Sequence, residues 1–185
     1  MKLMIASDIH GCAPACEALL HAFAASGADR LILLGDILYH GPRNDLPAGY
    51  DPKAVISMLA AYADKLFCVR GNCDTEVDQM VLPFPILSET ALLFVDSRTW
   101  FAAHGHRAGA NPTAGDLPAL PAGSVVLTGH THIPILETND QGVLLLNPGS
   151  VSIPKGGSVG SYMTYQHGTF LWKDLDGEVY DTLTL

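Results

Sequence analysis

The first part of the chain alternates short apolar runs with two longer segments of helical periodicity. The runs have strand length, are bounded by Gly, Asp or Asn, and cover residues 3–6, 31–34 and 66–69. Residues 14–25 carry Pro14 in the first turn and are followed by Gly27, and residues 51–63 open with Asp51-Pro52, an N-cap before a first-turn proline. This order predicts a β-α-β-α-β unit with parallel strands and right-handed crossovers.

The second part consists mainly of short strand-like runs separated by turn pairs such as Asn139-Asp140 and Asp176-Gly177. We expect strands at residues 91–95, 100–103, 125–127, 135–138, 143–146, 162–165, 169–172 and 179–184, and a short helix only near residues 116–120. The pattern has no repeat or linker that would divide the chain. It predicts one domain over residues 1–185, a two-sheet α/β sandwich with parallel strands first and hairpins later.

Polar side chains that can ligate metals follow five of these apolar runs. Because ligands bind outside the carboxyl ends of strands in open α/β sheets, the five loops should meet at one site. Residues i and i+2 of an extended segment point the same way, so a D-x-H or H-x-H pair can reach one metal cluster from one strand end. The residues concerned are Asp8, His10, Asp36, Asn72, His104, His106, His130 and His132.

The donor types indicate which metals would bind. Two carboxylates, one amide and several imidazoles form a set of intermediate hardness, which suits Mn²⁺, Fe²⁺ or Zn²⁺ better than Ca²⁺ or a thiolate zinc site. The set also exceeds what one tetrahedral ion uses. Shared through a bridging carboxylate, it would supply two ions roughly 3.5 to 4 Å apart.

Composition narrows the possible partners. The chain of 185 residues has 10 Lys plus Arg against 19 Asp plus Glu, a formal net charge of −9 and a pI of about 5.1, which argues against long duplex nucleic acid as a ligand. No apolar run approaches a membrane span, and the N-terminus lacks the pattern of a signal peptide, so we expect a cytoplasmic protein with no membrane partner. Its eight histidines are unusually numerous beside its cationic residues.

The order of short motifs resembles the calcineurin-like metallophosphoesterases. They are D-x-H at Asp8, G-D at Gly35, G-N-x-D at Gly71, H-G-H at His104 and G-H-T-H at Gly129. Further stretches, at residues 39–44, 69–74 and 147–155, resemble the small bacterial YfcE-type phosphodiesterases. The resemblance covers about residues 2–165 and implies the same α/β sandwich with a metal site at the carboxyl ends of its strands.

The resemblance also implies individual roles. Asp8, His10 and His132 would hold a first metal, Asn72, His104 and His130 a second, and Asp36 would bridge them. It implies a phosphodiesterase that hydrolyses small phosphodiesters through a dinuclear metal-bridged hydroxide, with two divalent ions per chain. Mn²⁺ is the expected metal, with Zn²⁺, Fe²⁺ and Ni²⁺ as alternatives, and a homo-oligomer is the expected assembly. Arg43 and Asn44 are candidates to contact the substrate phosphate.

The general acid is the open point of this hypothesis. Many superfamily members have histidine after the Asn of the third motif, where this chain and the YfcE-type proteins have Cys73. A thiol with an ordinary pKa of about 8.5 is a poorer acid at neutral pH than an imidazolium. Cys73 and His106 are therefore candidate general acids or groups that support the ligands. Of the remaining histidines, His21 and His167 have no ligand partner in suitable spacing, whereas His40 is near the site in sequence and is a candidate for its rim.

Two other functions stay open from the sequence. One is a non-catalytic scaffold of the same fold, against which the filled set of ligand positions argues. The other is a nuclease or nucleotide phosphatase, against which the acidic balance and the lack of a basic stretch with interleaved aromatics argue.

Overall fold

The structure is a computed structural model that describes residues 1–107 and 117–185. It has two β-sheets and few helices. Its strands are β1 (Lys2–Ala6), β2 (Arg30–Leu33), β3 (Leu66–Cys68), β4 (Thr90–Val95), β5 (Arg98–Ala103), β6 (Val125–Leu127), β7 (Pro134–Thr138), β8 (Leu144–Pro148), β9 (Ser161–Gln166), β10 (Thr169–Asp174) and β11 (Val179–Thr184). Its helices are α1 (Ala13–Ser26), α2 (Pro52–Ala60), a 3₁₀ turn at Ala63–Lys65 and α3 (Glu76–Val81).

The first sheet has the strand order β11-β10-β9-β1-β2-β3. Its strands β1, β2 and β3 are parallel, with Leu3 opposite Arg30 and Leu31 opposite Leu66, as the β-α-β-α-β pattern predicts. The C-terminal strands extend this sheet in antiparallel register from β9, which pairs with β1. The two ends of the chain therefore share one sheet.

The second sheet has the order β4-β5-β6-β8-β7. Here the expectation of hairpins alone is wrong, because β5 and β6 are parallel and so are β6 and β8. The hairpins β4-β5 and β7-β8 lie at the two edges. Parallel central strands send the ends of both β5 and β6 to the same edge, which positions the loops that follow them.

The apolar runs are buried on both faces. In β1, Leu3 and Ile5 pack into a core between the sheets, whereas Met4 and Ala6 face a second core under α1 and α2. Alternate residues of a strand point to opposite faces, so a continuous apolar run is what a strand covered on both sides requires. The predicted two-sheet α/β sandwich is confirmed, with its helices on the outer face of the first sheet.

Local signals set most helix ends. The Asp51 side chain accepts a hydrogen bond from the Ala54 N–H at 3.0 Å, and Gly27, at φ +67°, ends α1 in the left-handed conformation. The helix α3 was not expected, although Thr75 and Asp78 form a capping box at its start. The helix expected near residues 116–120 is absent from the described residues 117–120, and Asp116 lies outside them.

Among the described residues, no helix is long and apolar enough to cross a membrane.

The core between the sheets should carry much of the stability. Trp100 is fully buried there, with its ring 4.7 Å from Tyr165 and 5.2 Å from Phe170. We expect Trp100→Ala to lower the free energy of unfolding by about 3 to 5 kcal/mol, because the cavity is lined by groups that cannot collapse fully. Phe94→Ala, on the neighbouring strand with 81% of Phe94 exposed, should change it by less than about 0.5 kcal/mol. Equal effects in urea denaturation would contradict this assignment of the core.

Candidate metal centre

Five strand ends deliver polar side chains to one edge of the sandwich. The loop after β1 carries Asp8 and His10, that after β2 Asp36, and that after β3 Asn72. The loops after β5 and β6 carry the remaining imidazoles, His104, His130 and His132. All seven of the predicted ligand positions meet at this edge, and they form two groups.

The first group consists of Asp8, His10 and His132, all buried. Asp8 Oδ1 lies 3.5 Å from His10 Nε2 and 3.3 Å from His132 Nε2, and the two Nε2 atoms are 3.2 Å apart. Ligands bonded to one cation at about 2.0 to 2.2 Å are themselves separated by roughly 3 to 3.5 Å. These three atoms therefore have the mutual spacing of neighbours around a single ion.

The second group contains Asp36, His104 and His130, with Asn72 beside them. His104 Nε2 is 3.3 Å from Asp36 Oδ2 and 3.2 Å from Asn72 Oδ1. The same Asp36 Oδ2 lies 3.7 Å from His10 Nε2 of the first group. One carboxylate oxygen thus faces both groups, which is the place a bridging ligand would occupy.

The histidine rings are oriented so that their Nε2 lone pairs face this centre. The Nδ1 atoms of His10, His104 and His132 lie 2.7, 2.6 and 2.6 Å from the backbone carbonyls of Tyr39, Leu34 and Ile153. A carbonyl only accepts, so each Nδ1 donates its proton and leaves Nε2 as a lone pair in the neutral ring. Metal-binding histidines are held in this way by partners on their second nitrogen.

The neutral form of the cluster lacks a partner for its lone pairs. Asp8 Oδ1 is buried and has no hydrogen-bond donor among the described residues, while its other oxygen accepts from the His130 backbone N–H at 3.0 Å. A buried carboxylate oxygen without a donor is costly. A divalent cation would satisfy it together with the facing imidazoles, so the residues present fit metal ions.

Without an ion, the electrostatics favour protonated imidazoles beside the carboxylates. Burial raises the pKa of Asp8, but its contact with His10 and the charges of His104 and His132 outweigh burial and hold that pKa well below its ordinary value. Burial lowers the pKa of His104, but the nearby carboxylates outweigh burial and raise that pKa to about 9, so a metal ion would displace the proton of this ring. Burial and the neighbouring His104 lower the pKa of His130 to about 4. Asp8 is therefore ionised and His130 neutral at pH 7, which are the states in which they donate to a metal.

The backbone at the site is held in an unusual conformation. Asp8, His10, Asp36, His130 and His132 all have φ between +49° and +64°. Side chains other than glycine rarely adopt this left-handed region, and such strain persists only where the surroundings enforce it. Five of the seven donors are thus aimed by a backbone turn immediately after a strand.

Asp74 fixes the turn that presents Asp36. Its buried carboxylate accepts from the backbone N–H groups of Asp36 at 2.8 Å, Ile37 at 2.9 Å and Gly71 at 2.7 Å. This ties the end of β2 to the end of β3. Gly71 is required here because a Cβ would collide with Asp36 Oδ1.

The loop after β8 supports the other side. The hydroxyls of Ser150 and Ser152 both donate to the Asp8 carbonyl, at 2.9 and 3.0 Å, and the Asn147 amide donates to the Gly129 carbonyl at 2.8 Å. At Gly129 a Cβ would collide with Ser7 Oγ, so only glycine lets this loop approach β1. These contacts join the two sheets at the donor cluster.

A cleft of about 430 Å³ opens onto the donors. Arg43 and Asn44, the predicted phosphate contacts, line it, as does Cys73. Cys73 donates its backbone N–H to Asp36 Oδ1 at 2.8 Å, and burial, followed by the charge of Asp36, raises the pKa of its thiol. Cys73 therefore lies at the cleft but holds its proton tightly.

His106 takes a different place from Cys73. Its ring is 5.5 Å from that of His104 and 6.2 Å from that of His130, and it lines a separate pocket rather than the cleft. Of the other histidines, His21 and His167 are exposed and do not line the cleft. His40 lies beside the cleft, with its ring between Tyr39 and Tyr50 and its carbonyl accepting from Asn44 Nδ2 at 2.8 Å.

Sequence reasoning gave no role to several residues that complete the site. They are Asp74, Asn147, Ser150 and Ser152, which hold the donor loops, and Thr131, Ile133 and Lys155, which line the cleft. Their positions in the sequence could have identified them, since Asp74 is the last residue of the G-N-x-D motif and most of the others lie in the stretch of residues 147–155.

Comparisons with known proteins agree on one family. The model of the calcineurin-like phosphoesterase superfamily domain matches residues 1–169. Phosphodiesterase YfcE of Escherichia coli K12 is 51% identical over 162 residues, which cover 88% of this chain and 85% of YfcE. The solved structure of E. coli YfcE, described as a phosphoesterase, superposes with a TM-score of 0.93 at 45% identity over 100% of this chain and 99% of that one.

A more distant likeness shows the fold alone. Vps29 of Entamoeba histolytica, solved in complex with Zn²⁺, has a TM-score of 0.63 at 18% identity, covering 100% of this chain and 99% of Vps29.

Metal binding should raise the melting temperature of the protein. We expect the protein dialysed against a chelator to melt at a lower temperature, and Mn²⁺ at about 100 times its Kd to add about 2.7 kcal/mol, which corresponds to a rise of about 5 to 10 °C in Tm. Asp8→Asn should abolish most of this rise. Asp64→Asn, which changes an exposed carboxylate outside both donor groups, should keep it. A Mn²⁺ response that is unchanged in Asp8→Asn would contradict the assignment.

Proposed function

The chain belongs to the calcineurin-like phosphoesterase superfamily, and we propose that it is a metal-dependent phosphodiesterase acting on small phosphodiesters. The observation that carries the proposal is the pair of donor groups joined by Asp36 at the floor of a cleft. The relation to YfcE, named a phosphodiesterase, supports the choice of a diester as substrate.

We assign the donors to two divalent ions. Asp8, His10 and His132 would hold one ion, and Asn72, His104 and His130 the other. Asp36 would contact both, since its Oδ2 faces His10 and His104. Bound at this centre, the ions would supply a hydroxide nucleophile near neutral pH and neutralise charge on the phosphoryl oxygens.

The chain's own residues keep this centre in place during the reaction. The carbonyls that hold Nδ1 of His10, His104 and His132 keep these rings from turning, and Asp74 keeps Asp36 from moving. Arg43 and Asn44 extend from the loop after β2 to bind the phosphate of the substrate as it enters the cleft. Preorganised donors of this kind need no rearrangement as charge develops.

For protonation of the leaving oxygen, neither Cys73 nor His106 is a good general acid. Cys73 lines the cleft, but its raised pKa makes it a poor acid, and His106 lines a separate pocket rather than the cleft. We propose that the enzyme acts on diesters with good leaving groups, for which acid catalysis contributes less.

Several properties stay predictions from the sequence. They are the preference for Mn²⁺, the single domain over residues 1–185, the cytoplasmic location and the homo-oligomeric state. The alternatives differ from the proposal in the reaction: a scaffold would hydrolyse nothing, whereas a nuclease or nucleotide phosphatase would hydrolyse a nucleic acid or a nucleotide.

Hydrolysis of bis(p-nitrophenyl) phosphate by the Mn²⁺-loaded protein tests the function. Asp36→Asn should lower kcat/KM by more than about 100-fold, because losing a group that merely supports a ligand already costs 10- to 100-fold. The matched substitution Asp64→Asn should leave activity unchanged. No hydrolysis by the wild type would favour a scaffold, and full activity in Asp36→Asn would refute the assignment of the bridge.

The role of position 73 can be tested by supplying the missing acid. We expect Cys73→His to raise the ratio of methyl phenyl phosphate to methyl p-nitrophenyl phosphate hydrolysis by about 10-fold or more, since general acid catalysis is worth 10² to 10⁴ and phenolate, the poorer leaving group, depends on it more. Cys73→Ser controls for the loss of the thiol and should leave the ratio unchanged. An unchanged ratio in Cys73→His would contradict the argument from the missing acid.

A further inference from the structure

Two cationic side chains lie at the mouth of the cleft. Arg43 and Lys155 both line it and are both exposed, whereas the donors Asp36 and His132 on its floor are buried. The chain has only 10 Lys plus Arg and a formal net charge of −9, so two cations beside one cleft are a local departure from its acidic composition. Lys155 has no part in holding the donor side chains.

Lys155 is anchored at its backbone to the metal centre. Its N–H donates to the carbonyl of His132 at 3.0 Å, and its own carbonyl accepts from the Ser158 hydroxyl at 2.7 Å and from the Ser158 N–H at 3.1 Å. The Lys155 backbone is therefore fixed next to His132, a donor of the first group.

Its side chain is held across the cleft. Lys155 Nζ donates to Asn44 Oδ1 at 3.3 Å, and the Asn44 Nδ2 donates to the His40 carbonyl at 2.8 Å, which turns the amide oxygen toward the lysine. An ammonium has three donors, and Asn44 takes one of them. A positioned cation with donors to spare is suited to bind an anion.

We propose that Lys155 forms an anion subsite that binds a second anionic group on one arm of the phosphodiester substrate, while Arg43 contacts the phosphate that is hydrolysed. This inference rests on the proposed function. A phosphoryl group at the buried donors has its charge neutralised there, and its ester arms extend outward past the exposed rim. A carboxylate or phosphate on such an arm meets Lys155.

A pair of matched substrates tests the subsite. 3-Carboxypropyl p-nitrophenyl phosphate and 3-carbamoylpropyl p-nitrophenyl phosphate share their leaving group and nearly their shape but differ in one negative charge. With the Mn²⁺-loaded wild type at low ionic strength, we expect kcat/KM to be about 5-fold higher for the carboxylate, mainly through KM, because partly exposed charge pairs are worth about 1 kcal/mol or less. Salt at 0.5 M should reduce the preference.

Variants assign the preference to Lys155. Lys155→Met should bring the ratio of the two substrates near 1, and Lys155→Arg should retain most of it. Lys53→Met, which removes an exposed lysine from α2, should behave as the wild type. A second readout is independent of turnover: the carboxylate substrate's product, 3-carboxypropyl phosphate, should raise the Tm of the wild type more than that of Lys155→Met at equal Mn²⁺ content.

The outcomes separate the subsite from the function. A wild type that hydrolyses both substrates equally, or a Lys155→Met that keeps the full preference, overturns the subsite and leaves the phosphodiesterase intact. A Lys155→Met that loses activity on both substrates to the same extent also overturns it, because the lysine would then bind the scissile phosphate. A Mn²⁺-loaded wild type that hydrolyses neither substrate refutes the proposed function itself.

Discussion

The rest of this structure depends on a cluster of buried donor atoms that face one another at short distances. His10 and His132 bring their Nε2 atoms to 3.2 Å, beside a carboxylate oxygen of Asp8 that has no donor among the described residues. The interaction is repulsive or costly in the neutral form, and a cation converts it into an attraction. The fold keeps this arrangement by holding each donor residue through hydrogen bonds on the side away from the centre. This accounts for many of the hydrogen bonds around the cluster.

That fixation uses backbone groups more than side chains. Carbonyls at the ends of strands hold the histidine rings, and Asp74 collects three N–H groups so that the ends of β2 and β3 move as one. Left-handed turns after the strands aim most of the donors. The strain of these turns is offset by the cores on both sides of the first sheet, since apolar strands buried on two faces hold the loop ends rigidly. Stability of the sandwich and geometry of the centre are thus coupled.

The sequence predicts that the candidate donors come together because each follows an apolar run and strands of this kind end at a common edge, and the structure brings them to that edge. Asp8, Asp36 and His130 could therefore be assigned from local pattern alone. The pairing of the second sheet could not be predicted in this way. Turn pairs in the sequence indicate hairpins, whereas the parallel order of β5, β6 and β8 depends on contacts between distant segments. Lys155 was missed for the same reason: its partner Asn44 lies 111 residues away. The short α3 buries no residue and leaves little periodicity to detect.

We assign the two donor groups to two ions that would share the carboxylate of Asp36. Anomalous diffraction from crystals of the protein soaked in Mn²⁺, recorded on both sides of the manganese edge, would locate these ions. We expect two manganese peaks roughly 3.5 to 4 Å apart. One should lie among Asp8, His10 and His132, the other among Asn72, His104 and His130, with Asp36 in contact with both. A single peak, or two peaks with Asp36 bound to only one of them, would contradict this assignment.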